Sequence, residues 1–300
     1  MSGRTWVVAN PAAGRGTSAK GLAELRADFA ARGVTEFHAT TIAGDEELLS
    51  ARALESGAQT IVAVGGDGTC THIAQAILAS GKRCRLAVIP TGTGNDFAKT
   101  LGVAKLSPGA VMDLLARDDT TSSIDVGIVD GYHFVNSCGF GFDASVLEAT
   151  TSSRFLKGNA VYIYSALTQL FTYRGMSVAV GSNHAEAKRM LMLTVSNGRF
   201  LGGAFRIAPT ASVIDGELDI AFFSDSNVIQ RARLFAGALR GTHVRLPSVK
   251  TQRVSAMTLQ FAETPMMEVD GELRRARSST VEIGCQARAL DVVAAPGALS

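Results

Sequence analysis

VAVGGDGTCTHIAQAI (Val62–Ile77) joins an apolar run to a helical pattern through three glycines and an aspartate, and its reading decides the fold. Glycine inside a regular element costs roughly 0.5 to 1 kcal/mol relative to alanine, so such a cluster calls for a compensating reason. Thr60–Val64 reads as a strand, and Ile73, Ile77 and Leu78 recur at helical spacing. In a strand, glycine turn and helix in succession, backbone N–H groups and a positive helix end can face a polyanion.

Outward from this stretch the same alternation continues. Thr5–Ala9, Phe37–Ile42 and Leu86–Ile89 are further strand-like runs. Thr17–Arg32 carries Leu22, Leu25 and Phe29 at helical spacing, and Asp45–Ser56 opens with three acids at a positive helix end. Alternating strands and helices imply a doubly wound parallel sheet covered on both faces. Three glycine-containing loops follow its predicted strands: NPAAGRG (Asn10–Gly16), GGDGT (Gly65–Thr69) and PTGTGNDFA (Pro90–Ala98). The carboxyl ends of such strands are where open α/β sheets bind ligands. One such loop is also an ordinary tight turn; three on one edge suggest one site. GxxxxGK[ST] is absent, and no GxGxxG follows the first strand.

After about Ser122 the texture changes to short β-rich runs, among them MLMLTVSN, LDIAFF, VSAMTLQFA, MMEVDGEL and TVEIG, with helical interludes at Arg154–Tyr173 and roughly Asn227–Leu239. The expected division is an α/β nucleotide-binding domain over residues 1–124 and an antiparallel β-sandwich over 125–287. A tail of about 288–300 is expected to return to the first domain.

Bulk composition bounds the function. In 300 residues, 29 Lys and Arg face 27 Asp and Glu, a net charge of +2 that gives no electrostatic case for a nucleic-acid partner. Arg274, Arg275 and Arg277 read as a solvated face. Cys70, Cys84, Cys138 and Cys285 lack metal-ligand or disulfide-framework spacing, which suits a reducing compartment. No signal-peptide pattern and no apolar run of about 18 to 20 residues is present, so the expectation is a cytoplasmic protein without a transmembrane segment.

The three loops, followed in order by FVNSCGFGFDA, NGRFLGGAFRIAP, DGELDI and VDGE, resemble the diacylglycerol kinase catalytic-domain superfamily, and within it the bacterial soluble lipid kinases, across Thr5–Leu290. The resemblance implies ATP-dependent, Mg2+-assisted transfer of a γ-phosphoryl group to a lipid hydroxyl, in a cleft between the two domains. By carry-over, Asn10, Pro11, Gly14, Thr40, Gly65, Gly66, Asp67, Gly68, Thr69, Cys70, Thr71, Thr93 and Asn95 line the nucleotide. Glu272 in MEVDGEL becomes the general base, and Asp67 organises Mg2+ and water. Asp215, with main-chain oxygens of Ser212 and Glu217, becomes a structural Mg2+ site. Many bacterial members carry Asn and Glu after GGDGTx where this chain has Thr71 and His72; the resemblance leaves only backbone roles there.

On the residues alone, Glu272 is equally an acid beside a DG hairpin turn, Thr40 a strand residue and His72 a helix-surface histidine. RFLKGNAVYIYSALTQLFTYRGM (Arg154–Met176) suits either an interfacial helix for transient membrane contact or a core-facing helix. Two alternatives stay open: a kinase of NAD on the same scaffold, and a catalytically silent lipid- or nucleotide-binding regulator. The lipid and the oligomeric state, a homodimer included, are not legible.

Overall fold

Thr5–Ala9 (β1), Glu36–Ala39 (β2), Thr60–Gly65 (β3) and Arg85–Pro90 (β4) pair in parallel in the order β2-β1-β3-β4. β1 and β3 are buried along their whole length, so TWVVA and TIVAVG read as continuous apolar runs, not alternating ones. The computed structural model describes residues 4–16, 21–152, 168–169, 172–181 and 186–299. The chain divides into two units, one of Met1–Val126, Ser212–Asp215 and Ala287–Ser300, the other of Gly127–Ala211 and Gly216–Gln286.

Among the described residues of the first unit five α-helices accompany the sheet: Leu22–Ala31 (α1), Asp45–Glu55 (α2), Asp67–Ser80 (α3), Asp96–Thr100 (α4) and Pro108–Leu115 (α5). α1 buries Leu25 and Phe29, as their spacing predicts. α5 has no counterpart in the sequence reading. Its start is encoded by Ser107, whose hydroxyl accepts the Ala110 N–H at 3.2 Å, with Pro108 in the first turn.

The remaining strands are Thr121–Val129 (β5), Tyr132–Phe134 (β6), Ser137–Gly141 (β7), Met176–Val180 (β8), Lys188–Ser196 (β9), Leu218–Ser224 (β10), Val249–Val254 (β11), Ala256–Phe261 (β12), Met266–Val269 (β13), Glu272–Arg275 (β14) and Thr280–Val293 (β15). Near its end β15 pairs in parallel with β4 at Val292 and Leu86, adding a fifth strand to the first unit's sheet.

The second unit is antiparallel throughout its described pairings. One path runs β14-β13-β7-β9-β10-β11 and another β9-β8-β12-β15. Phe140, Leu193, Val195 and Ile220 project from one face onto Val178, Leu259, Phe261 and Ile283, giving the β-sandwich core. Each such buried side chain contributes roughly 1.5 to 3 kcal/mol. The opposite face carries Met192, Ala221 and Phe223 against Phe142–Ser152 (α6) and Val228–Ala238 (α7). Asn227 and Gln230 form a reciprocal capping box at the start of α7. The parallel sheet and the antiparallel sandwich expected from the sequence are both present. Most of the Arg154–Met176 stretch lies outside the described residues. No described helix is long and apolar enough to cross a membrane.

Candidate active site

The carboxyl ends of β1, β3 and β4 stand level: Ala9 pairs with Val64, and Gly65 with Pro90. The ladder then continues one residue into each turn. Asn10 N–H donates to Val64 O, Thr40 N–H to Ala9 O and Thr91 N–H to Gly65 O, each at 2.8 Å. The NPAAGRG, GGDGT and PTGTGNDFA turns are therefore neighbours on one rim of the sheet.

The rim glycines divide into two kinds. A Cβ on Gly92 would sit 2.4 Å from Gly66 Cα and 2.8 Å from Asn95 Oδ1, and one on Gly65 would sit 2.4 Å from Thr69 Oγ1. Gly92 is bare so that the second and third turns can touch, and Gly65 so that the second turn can close on its own Thr69. A Cβ on Gly68 would meet nothing within 4 Å, so its bare backbone serves no contact inside the protein. Gly68 lies in the first turn of α3, whose N-cap Gly66 supplies no side-chain cap, leaving a positive helix end. Gly14 takes a left-handed backbone, φ +58°.

Several predicted nucleotide residues turn out to build the rim. Asn95, itself left-handed at φ +54°, clamps the third turn: its Oδ1 accepts Gly92 N–H at 3.0 Å and its Nδ2 donates to Gly92 O at 2.9 Å. Asn10 Nδ2 donates to Glu46 Oε1 at 3.0 Å and to Thr69 Oγ1 at 3.2 Å, while Thr69 Oγ1 donates to Glu46 at 3.3 Å. Glu46 is buried and joins the first two loops, a part the sequence reading missed; the acids of DEE read only as helix-end charge. Thr40, Cys70 and Thr71 are buried, so they present little beyond backbone, whereas Thr93 is exposed and Pro11 half-buried. His72 Nδ1 lies 2.9 Å from Glu47 Oε1 on the helix surface.

Asp67 opens α3, and its Oδ1 accepts the Phe97 N–H at 3.1 Å, tying the second turn to α4. Burial, reinforced by the neighbouring Asp96, holds its carboxyl above the ordinary aspartate range despite that bond. A cation beside it would offset this cost, which suits a hard metal ion with few protein ligands. Asp96 is itself paired with Lys99 at 2.8 Å.

The residues expected to hold a structural metal ion, Asp215 with main-chain oxygens of Ser212 and Glu217, lie within six consecutive residues. Ser212 and Asp215 belong to the first unit, Glu217 to the second, and the Glu217 carboxylate lies 3.7 Å from Arg253. Among the described residues no three His, Cys, Asp or Glu side chains converge on one point.

In the second unit the late VDGE forms a hairpin. Asp270 (φ +48°) and Gly271 (φ +90°) are both left-handed and make the two-residue turn between β13 and β14. Asp270 Oδ2 accepts Val135 N–H at 2.8 Å, and Oδ1 accepts the N–H groups of Asn136 and Ser137, each at 2.9 Å. That anchor was not foreseen. Glu272 is the first residue of β14, half-buried and ion-paired with Arg274, whose guanidinium lies 5.6 Å over the Tyr132 ring. The same unit holds an apolar cavity of about 80 Å3 bounded by Phe142, Met192, Phe205, Phe223, Leu234 and Phe235.

Comparison with known proteins agrees with this architecture. The diacylglycerol kinase catalytic domain matches residues 4–129, and the YegS C-terminal NAD kinase beta sandwich-like domain matches residues 136–294. The diacylglycerol kinase of Bacillus subtilis (strain 168) is 28% identical over 279 residues, 90% of this chain and 89% of that protein. A "Probable lipid kinase YegS-like" protein of Pseudomonas putida (strain KT2440) is 33% identical over 238 residues, 78% of this chain and 79% of that one. The crystal structure of a diacylglycerol kinase from Bacillus anthracis str. Sterne has a TM-score of 0.74 at 19% identity, with both chains covered completely, a likeness of fold alone. A parallel-sheet kinase domain followed by a β-sandwich is the class these features define. The chain belongs to the lipid kinase family that unites diacylglycerol kinase and YegS-like proteins.

Proposed function

We propose that this chain uses ATP and Mg2+ to phosphorylate the hydroxyl of a diacylglycerol-like lipid. The observation that carries the reading is the open first turn of α3. Gly68 is bare for no internal reason, Asp67 is a half-buried acid beside it, and Asn10, Gly66, Gly92 and Asn95 brace the surrounding turns. Such a rim offers backbone N–H donors to phosphate oxygens, and Asp67 would hold the metal ion that neutralises their charge. When bound, that ion lowers the cost of charge on the transferred phosphoryl group.

Glu272 is assigned the proton of the lipid hydroxyl. The hydroxyl oxygen forms a bond to the γ-phosphorus, the bond to the β,γ-bridging oxygen breaks, and ADP leaves. The ion pair with Arg274 orients the Glu272 side chain. The apolar cavity beside Phe142 and Phe235 would take only the end of an acyl chain, and the protein would dock transiently on a membrane from the cytoplasm. The names of the relatives, diacylglycerol kinase and lipid kinase, favour a lipid acceptor over NAD.

The test incubates purified protein with γ-labelled ATP, Mg2+ and separate acceptors: diacylglycerol, phosphatidylglycerol, ceramide, a sphingoid base and NAD. Label in diacylglycerol with none in NAD is expected. Label in NADP alone, or in no acceptor, contradicts the proposal.

A further inference from the structure

Glu268 on β13 lies opposite Gly139 on β7, and Gly139 lies opposite Thr194 on β9. A Cβ on Gly139 would sit 2.2 Å from Asp143 Oδ2, so glycine there makes room for the Asp143 carboxyl at the start of α6. That carboxyl interacts directly with Glu268. Asp143 Oδ2 and Glu268 Oε2 are both buried, and no donor group of the protein reaches either oxygen. Two ionised carboxylates in contact and out of water repel strongly. One proton between them converts two orphaned acceptors into a single charge-assisted hydrogen bond.

The other oxygen of Glu268, Oε1, accepts the N–H of Gly271, the residue immediately before Glu272. We propose that Asp143 and Glu268 share one proton and that this pair is a positioning element, holding the Asp270–Gly271 turn so that Glu272 is presented in one orientation. The proposal rests on the reading of Glu272 as the base.

The surroundings favour retention of the proton. α6 packs on β7, β9, β13 and β14. Their ionisable groups are Cys138 on β7, Lys188 and Arg189 on β9, Glu268 itself, and Glu272, Arg274 and Arg275 on β14; α6 adds Glu148, and the turn adds Asp270. The charges that act on Glu268 are Asp143 and Asp270, both acidic. Burial pushes Asp143 up to about 6, and burial with these neighbours pushes Glu268 well above its ordinary value. The folded state thus binds this proton more tightly than the unfolded chain. The stability it contributes is complete at low pH and declines as pH rises from the ordinary carboxylate range through about 6 and beyond.

The experiment compares wild type with Glu268→Gln and Glu268→Leu. Thermal unfolding from pH 5 to 9 reads the pair without activity: the wild-type midpoint should fall with rising pH, and Glu268→Gln, which needs no proton, should flatten that fall. An unchanged slope in Glu268→Gln overturns the shared proton. So does a slope in wild type, absent from Glu268→Gln, that millimolar Mg2+ abolishes, because the pair would then hold a cation. Lipid phosphorylation reads the positioning: Glu268→Gln keeps an acceptor for Gly271 N–H and should retain kcat, with the alkaline decline of kcat moved to higher pH. Glu268→Leu should lower kcat on the order of 10- to 100-fold at unchanged KM for ATP. Equal kcat in wild type and Glu268→Leu overturns the positioning role. If Glu272→Gln retains full kcat, the base assignment fails, while the unfolding slopes still decide whether the proton is shared.

Discussion

The sheet rim of the first unit and the β13–β14 turn of the second solve opposite problems with similar residues. Both rely on left-handed backbone and an aspartate beside glycine. At the rim, side chains are removed until backbones touch, as at Gly66 and Gly92, and the first turn of α3 is left with N–H groups to offer. At the β13–β14 turn the donors are consumed: Asp270 takes three backbone N–H groups and Glu268 takes that of Gly271. What remains there is an acceptor, Glu272. A donor-rich rim suits phosphate oxygens, and an acceptor-rich turn suits a hydroxyl that must give up a proton.

The largest expected effect tests the acceptor half. Glu272→Gln should lower kcat by about 10² to 10⁴ while nucleotide affinity, measured by calorimetric titration, stays near that of wild type. Parallel loss of ATP affinity would erase the distinction between the two regions.

Next come the two kinds of glycine. Gly92→Ala forces a methyl group to within 2.4 Å of Gly66 Cα and should cost about 1 to 3 kcal/mol in denaturant unfolding, with nucleotide binding lost as well. Gly68→Ala meets open space and should leave stability unchanged or raised by about 0.5 kcal/mol, yet weaken ATP binding. A Gly68→Ala protein that binds ATP normally would mean that the bare turn serves nothing.

The smallest effect concerns the thiols. Cys84 is buried and its thiol is pushed up to about 11, and burial with Glu268, Asp143 and Asp270 nearby pushes Cys138 well above the ordinary thiol value, so both stay protonated near pH 8. Half-buried Cys285 should be alkylated first by iodoacetamide in the native protein, as followed by peptide mass spectrometry. Early labelling of Cys138 would indicate that the buried acids of the second unit are not packed as described.

The two regions also differ in how much could be read from the sequence. The rim was legible because its parts are local: β1 has the bounds expected of Thr5–Ala9, β3 extends one residue past Thr60–Val64, and each loop follows its strand directly. Even so, the glycines proved to serve loop contact as well as an open helix end, because Gly66 and Gly92 meet only after folding. β2 ends at Ala39, short of the expected Ile42, because Asp45 draws the N–H groups of Thr41 and Ile42 back toward α2. The acid pair was invisible for a different reason. Asp143 and Glu268 are brought together by the register of β7 with β13, across a long sequence separation, and nothing in GFDAS or MMEVDGEL marks either as a partner. The triple anchor of Asp270 was hidden in the same way, behind a turn that a DG pair already explains.

Amide hydrogen exchange with and without Mg2+ and the non-hydrolysable ATP analogue AMP-PNP tests the central claim most directly, since it reads the backbone donors themselves. Slowed exchange at Asn10–Gly16, Gly66–Thr69 and Thr91–Asn95 is the predicted result. Unaltered exchange at those turns, with protection appearing in another part of the chain, would contradict it.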